Sequence, residues 1–100
     1  MHRLILSVGC ALQIVLGQAN INPALRNIFT FPNNTFVENI AVRANGHLIV
    51  ASPSVPTLFI IDPTVSSPTA SVVHSFPVGT GPWGITELKN DVFVVVTGST

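Results

Sequence analysis

Charge is scarce in this sequence: four basic and four acidic side chains stand among 100 residues, and the formal net charge is zero. Lys89 is the single lysine, and tyrosine is absent. Proteins that grip nucleic acid cluster Lys and Arg against phosphates, so that class is excluded. A disordered chain needs high charge and little apolar content, whereas 47% of this one is hydrophobic. Cysteine occurs once, at Cys10, so no disulfide forms within the chain. A glycine-rich phosphate loop and a Gly-x-Ser-x-Gly nucleophile elbow are missing too. His47 and His74 have no Ser or Asp at a spacing that suggests a triad, and two lone histidines do not make a metal site. Both are expected to be structural or superficial, His47 solvated after a turn and His74 on an outermost strand.

What the chain does have is β-branching. Valine, isoleucine and threonine number 14, 9 and 9. Such residues lose rotamer freedom in helices and fit pleated sheets. Eight prolines and seven glycines punctuate them. The composition predicts an all-β fold.

The first nineteen residues have a pattern of their own. Met1-His2-Arg3 is a short positive start, residues 4–16 are apolar apart from Ser7 and Gln13, and Gly17-Gln18-Ala19 ends in small residues. This order predicts a secretory signal peptide over 1–19, cleaved after Ala19. As a helix, thirteen residues at ~1.5 Å each reach about 20 Å, short of a ~30 Å hydrocarbon core. Removal of the signal takes Cys10 with it and leaves residues 20–100 outside the cell, with no membrane attachment. Asn33-Asn34-Thr35 is an N-glycosylation sequon on that path, with Asn33 as the acceptor.

Strand signals recur through the rest, over residues 25–31, 37–43, 47–52, 57–62, 70–76, 84–88 and 92–97. Asn45-Gly46 suits the positive φ of a tight hairpin. Two stretches align at an offset of 45: Ile40-Ala41-Val42-Arg43-Ala44-Asn45-Gly46-His47-Leu48-Ile49-Val50 over Ile85-Thr86-Glu87-Leu88-Lys89-Asn90-Asp91-Val92-Phe93-Val94-Val95. Strand, Asn-centred turn and apolar strand recur together, with four strands per period. That is the dimension of a β-propeller blade. The chain would hold a first blade and part of a second, with 25–31 as the outer strand of a last blade closing the ring. The alternative is a β-sandwich, which also has short strands and many turns.

Glu38-Asn39-Ile40-Ala41-Val42-Arg43, Leu58-Phe59-Ile60-Ile61-Asp62-Pro63, Val73-His74-Ser75-Phe76-Pro77 and Gly84-Ile85-Thr86-Glu87-Leu88 resemble the opening blade of secreted fungal proteins. These are six-bladed, TolB-like propellers of the regucalcin and gluconolactonase type. The resemblance spans about residues 25–100 and implies that the chain is the N-terminal fragment of a longer propeller. It implies a channel lined by innermost strands, here 36–43 and 83–88, with ligands at one mouth. It also implies a divalent cation, Ca²⁺ or Mg²⁺, held partly by a glutamate of the first blade, at the position of Glu38. Such an ion takes several oxygen ligands, polarises a lactone carbonyl and lowers the pKa of a bound water. The family's Glu-Gly-Pro-x-Trp phrase reads Glu38-Asn39-Ile40-Ala41-Val42 here, a departure at the metal position. Trp83, between Pro82 and Gly84, is the candidate stacking group for a small-molecule ligand. Two functions follow: a secreted propeller that binds a ligand or partner without catalysis, or a metal-dependent hydrolase of lactones or small esters.

Overall fold

The computed structural model describes the backbone of residues 2–6, 11–18 and 21–100, and side-chain burial from residue 25 onward. Among these residues every regular element is a strand, in three antiparallel sheets. The first holds β1 (His2–Leu6), β2 (Ala11–Gln18) and β3 (Ile21–Thr30) in that order. The second is a meander of β4 (Asn39–Val42), β5 (Leu48–Ser52), β6 (Thr57–Ile61) and β7 (Ala70–Ser75). The third is the hairpin of β8 (Thr80–Lys89) and β9 (Val92–Ser99). The all-β expectation holds. Ala19 and Asn20, the two sides of the expected cleavage point, lie outside the described residues, as does Cys10.

The two hairpins share one register. In the meander, Asn39 faces Ala51, Ile40 faces Val50, Ala41 faces Ile49 and Val42 faces Leu48. In the third sheet, Gly84 faces Val96, Ile85 faces Val95, Thr86 faces Val94 and Glu87 faces Phe93. Each of the four pairs is the earlier pair displaced by 45. The turns agree as well: Gly46 and Asp91, again 45 apart, both have positive φ, 89° and 62°. In the first turn the Arg43 N–H donates to the His47 carbonyl and the Gly46 N–H to the Arg43 carbonyl, each at 2.8 Å. The Asn45 side chain accepts from the His47 N–H at 2.9 Å, which fixes the turn locally.

β8 starts four residues earlier than the composition suggested. Pro77–Pro82 reads as a loop, yet Thr80, Gly81 and Pro82 pair with Ser99, Gly98 and Thr97. Proline is tolerated there because, among the described residues, β8 has a paired strand on one side only, and its register shifts between Pro82 and Gly84.

Packing follows from β5. Its run Leu48-Ile49-Val50-Ala51-Ser52 has no polar face, and all five residues are buried. Leu48 and Val50 turn to one side, where they meet Ile28, Phe31, Val37 and Ile61. Phe31 stands edge-on to Phe29, with centroids 4.9 Å apart. Ile49 and Ala51 turn to the other side with Leu58, against Phe76, Ile85, Phe93 and Val95. The four-stranded sheet is therefore a middle layer with a core on each face. A two-layer sandwich buries one face of each sheet and solvates the other.

Candidate functional site

Glu38 stands just before β4. Its N–H donates to the Ala51 carbonyl at 3.0 Å, extending the β4–β5 ladder by one residue. Its side chain is half-buried, and the Oε2 atom is enclosed without a hydrogen-bond partner among the described residues. An enclosed carboxylate oxygen without a donor is costly, which marks the position as one where a cation or an N–H or O–H group fits. No group of three or more His, Cys, Asp or Glu side chains that could hold a metal occurs among the described residues. Glu38 alone thus fits the expected ion, and further oxygen ligands would have to join it.

Both ends of the Asn39 amide are already engaged. Its Oδ1 accepts from the Ile40 N–H at 2.8 Å. Its Nδ2 donates to the Trp83 carbonyl at 3.3 Å, which ties the start of β4 to β8. Trp83 and Glu38 are themselves 45 apart, so they hold the same place in the repeat, Glu38 just before β4 and Trp83 at the bulge of β8. The bond from Asn39 brings the Trp83 backbone alongside the start of β4.

Trp83 sits at the bulge of β8 and is 38% exposed. Its indole lies over Gly98: a side-chain carbon at that glycine would come within 3.3 Å of Cδ1 and 3.4 Å of Nε1. Gly98 thus makes the bed for the ring, and a substantial part of the indole stays open to solvent. The segment leading to Glu38 is fastened by hydroxyls. Ser54 Oγ accepts from the Phe36 N–H at 2.7 Å, and Ser52 Oγ donates to the Phe36 carbonyl at 2.7 Å. Asn33 is exposed in the turn before this segment, and Asn34 beside it has φ 71°.

The histidines divide. His74 is exposed on β7, as expected, and meets the Phe76 ring edge-on at 4.7 Å between centroids. His47 is not simply solvated. Because Leu48 faces Ile61, the residues just outside that pair also meet, and His47 Nε2 lies 3.4 Å from Asp62 Oδ2. Asp62 Oδ1 accepts from the Thr64 hydroxyl at 2.6 Å and the Thr64 N–H at 2.9 Å. These bonds, the hydroxyl first, hold the Asp62 carboxyl below the usual carboxylate range, with His47 adding to them. His47, Asp62, Thr69 and Ser71 line an open cavity of about 280 Å³.

A second polar contact joins the repeats. Arg43 Nε donates to Asp91 Oδ1 at 2.8 Å and its Nη2 donates to Oδ2, a two-pronged pair between the two hairpin turns. The hydrogen bonding lowers the Asp91 pKa and raises that of Arg43. Glu87 Oε2 accepts from the Asp91 N–H at 3.0 Å, so the turn is braced from its own strand as well. Behind the clasp a groove of about 360 Å³ runs between the sheets, over Ile49, Leu58 and Phe93.

No protein-family model matches this chain, nor does any curated protein or solved structure.

Proposed function

We propose that this chain is the opening part of a secreted β-propeller of the regucalcin and gluconolactonase type, and that it binds a small molecule or a partner outside the cell. The observation that carries the reading is the Asn39–Trp83 bond. It gathers Glu38 and Trp83, equivalent positions of a 45-residue repeat, at one end of neighbouring inner strands. Ligand sites in repeat folds form where equivalent strand ends converge. The middle sheet, with a core on each face, supports the propeller over the sandwich. Each blade of a propeller packs on both sides, against the blade before and the blade after. The meander β4–β7 is then the first blade, β8–β9 the inner half of the second, and β3 belongs to the last.

Trp83 is the single tryptophan, so its fluorescence reports on this mouth alone. Sugars, lactones and small esters are the ligands to titrate. A saturable change in emission is expected with one of these classes, and unchanged emission across all three would refute binding here.

The metal-dependent hydrolase is the second reading, and the partnerless Glu38 Oε2 favours it. Glu38 would hold Ca²⁺ or Mg²⁺ with oxygens from later blades, and the ion would polarise a lactone carbonyl. Glu38→Gln keeps the size and one acceptor oxygen but removes the charge. On the full-length protein, calcium affinity measured by calorimetry is expected to fall at least about tenfold in Glu38→Gln, with the melting temperature unchanged. Equal affinity in both proteins, or no calcium binding in the wild type, leaves the non-catalytic binder.

Export rests on the pattern of residues 1–19. Mass spectrometry of the exported protein is expected to find Asn20 at its N-terminus. A soluble exported product that begins at Met1 would contradict the cleaved signal.

A further inference from the structure

Asn33-Asn34-Thr35 is the single Asn-x-Ser/Thr tripeptide in the sequence, and the fold treats its two ends differently. Asn33 and Asn34 are exposed in the turn between β3 and β4. Thr35 is buried, at 6% exposure. Its N–H closes the turn by donating to the Pro32 carbonyl at 3.2 Å. Asn34 takes the third place of that turn with φ 71°, a left-handed conformation that asparagine accepts more readily than most residues.

The groups that hold this turn come later in the chain. The Asn34 carbonyl accepts from Ser54 Oγ at 3.5 Å, the Phe36 N–H donates to that same oxygen at 2.7 Å, and the Phe36 carbonyl accepts from Ser52 Oγ at 2.7 Å. Phe31 and Val37, on either side of the turn, are buried with Leu48, Val50 and Ile61. A chain that enters a compartment N-terminus first therefore presents the tripeptide before the residues that enclose it. Phe31 and Val37 pack on the face of the middle sheet opposite β8–β9, so strands that continue the repeat from β9 lie across the sheet from this turn.

N-glycosylation needs both ends of the tripeptide: the hydroxyl residue is recognised, and the asparagine side chain reacts. The Asn33 amide nitrogen bonds to the anomeric carbon of an oligosaccharide carried on a lipid diphosphate and gives up a proton to a base. The bond from that carbon to the diphosphate oxygen breaks, and the lipid diphosphate leaves with the electron pair. We propose that Asn33 accepts an N-linked glycan, and that transfer is complete before residues 32–37 fold. Folding withdraws Thr35 from the transferase, whereas exposed Asn33 leaves the attached sugar in solvent. The same turn thus forbids late addition and tolerates the product. The contact with Ser54 sets the glycan beside the β5–β6 connection, at the end of the middle sheet where β4 begins. Transfer in the cell rests on the export proposed above, because the lipid-linked donor is used in the secretory lumen.

Cell-free translation with endoplasmic-reticulum microsomes tests the site. The 100-residue chain is made as it stands and, in parallel, behind an established eukaryotic secretion signal. One endoglycosidase-sensitive shift is expected in the protease-protected, lumenal product. Asn33→Gln and Thr35→Ala should abolish the shift, and Thr35→Ser, which keeps the hydroxyl, should retain it. A shift seen only behind the added signal refutes export and upholds the acceptor site. A lumenal chain without a shift overturns the site. The order of events is tested with solubilised transferase and lipid-linked oligosaccharide, on unglycosylated protein purified from bacteria and on a synthetic peptide of residues 28–40. The peptide is expected to be modified and the protein not, while Ile61→Ala, which opens the core shared with Phe31, should regain acceptance. A wild-type protein modified as fast as the peptide overturns the order, and an unmodified peptide overturns the acceptor itself.

Discussion

Ile61→Ala is expected to remove most of the stability of this fold. Ile61 is fully buried, at 0% exposure, and belongs to the core that also holds Leu48, Val50, Ile28 and Phe31. It pairs with Leu48 on one side and Ala70 on the other, so it joins three strands of the middle sheet. Cutting a buried isoleucine to alanine costs about 2–5 kcal/mol, the spread reflecting how far the surroundings collapse into the cavity. The cavity would open beside Ile28, Phe31 and Val37, which close this face of the middle sheet. Domains of this size sit near the low end of a total of about 5–15 kcal/mol. Urea unfolding followed by far-UV circular dichroism should show a large fall in midpoint, or a chain unfolded without denaturant. Val73→Ala serves as the comparison, since that valine is 53% exposed on β7 and its loss should stay within about 0.5 kcal/mol. Equal losses in the two variants would mean that Ile61 is not part of the core described around Leu48 and Val50.

Gly81→Ala is the second large effect, and it arises from crowding. A side-chain carbon at Gly81 would lie 2.8 Å from the Pro53 Cα and 2.9 Å from its carbonyl oxygen. Both are backbone atoms, which cannot rotate away as a side-chain tip can. Pro53 leads the loop after β5, so the clash would push the start of β8 away from the end of β5. Overpacking of this kind costs about 1–3 kcal/mol. Gly84→Ala, three residues along the same strand, meets only the Val96 side chain at 3.7 Å, an ordinary contact. A thermal melt should therefore separate the two variants clearly. A Gly81→Ala protein as stable as Gly84→Ala would place β8 farther from Pro53 than described.

Much of this architecture is legible in the residues. The apolar runs locate every strand of the meander to within a few positions, since β-branched segments between Gly, Pro and Asn have few other solutions. The 45-residue offset rests on three identities in eleven residues, yet four cross-strand pairs obey it, because register depends on which face is apolar rather than on identity. Of the strand expected over residues 25–31, residues 25–30 lie in β3, which starts earlier at Ile21; Ile28 and, just past the strand, Phe31 are in the core.

The misses have physical causes too. Pro82 argues against a strand unless the strand is an edge, and edges are set by tertiary arrangement. His47 and Asp62 are fifteen residues apart and meet only through the β5–β6 register. Arg43 and Asp91 are 48 apart and meet only because the two hairpins pack together. At the candidate mouth, Glu38 and Trp83 stand out by residue type. The part played by Asn39 does not, since an amide that bonds both its own strand and the next looks like any other asparagine.

The two hairpin turns put the same left-handed backbone position to different uses. At Gly46 the conformation costs nothing, because glycine has no Cβ, and nothing lies within 4 Å of where one would be. At Asp91 an ordinary residue adopts it, at a local cost of about 1 kcal/mol. That aspartate is also the anion that clasps Arg43. Glycine at position 91 would relax the turn and unfasten the seam between the repeats. Position 46 is thus set by its own turn alone, while Arg43 of that turn serves the joint. The second turn is held at a compromise, where the best residue for the loop and the best residue for the joint differ.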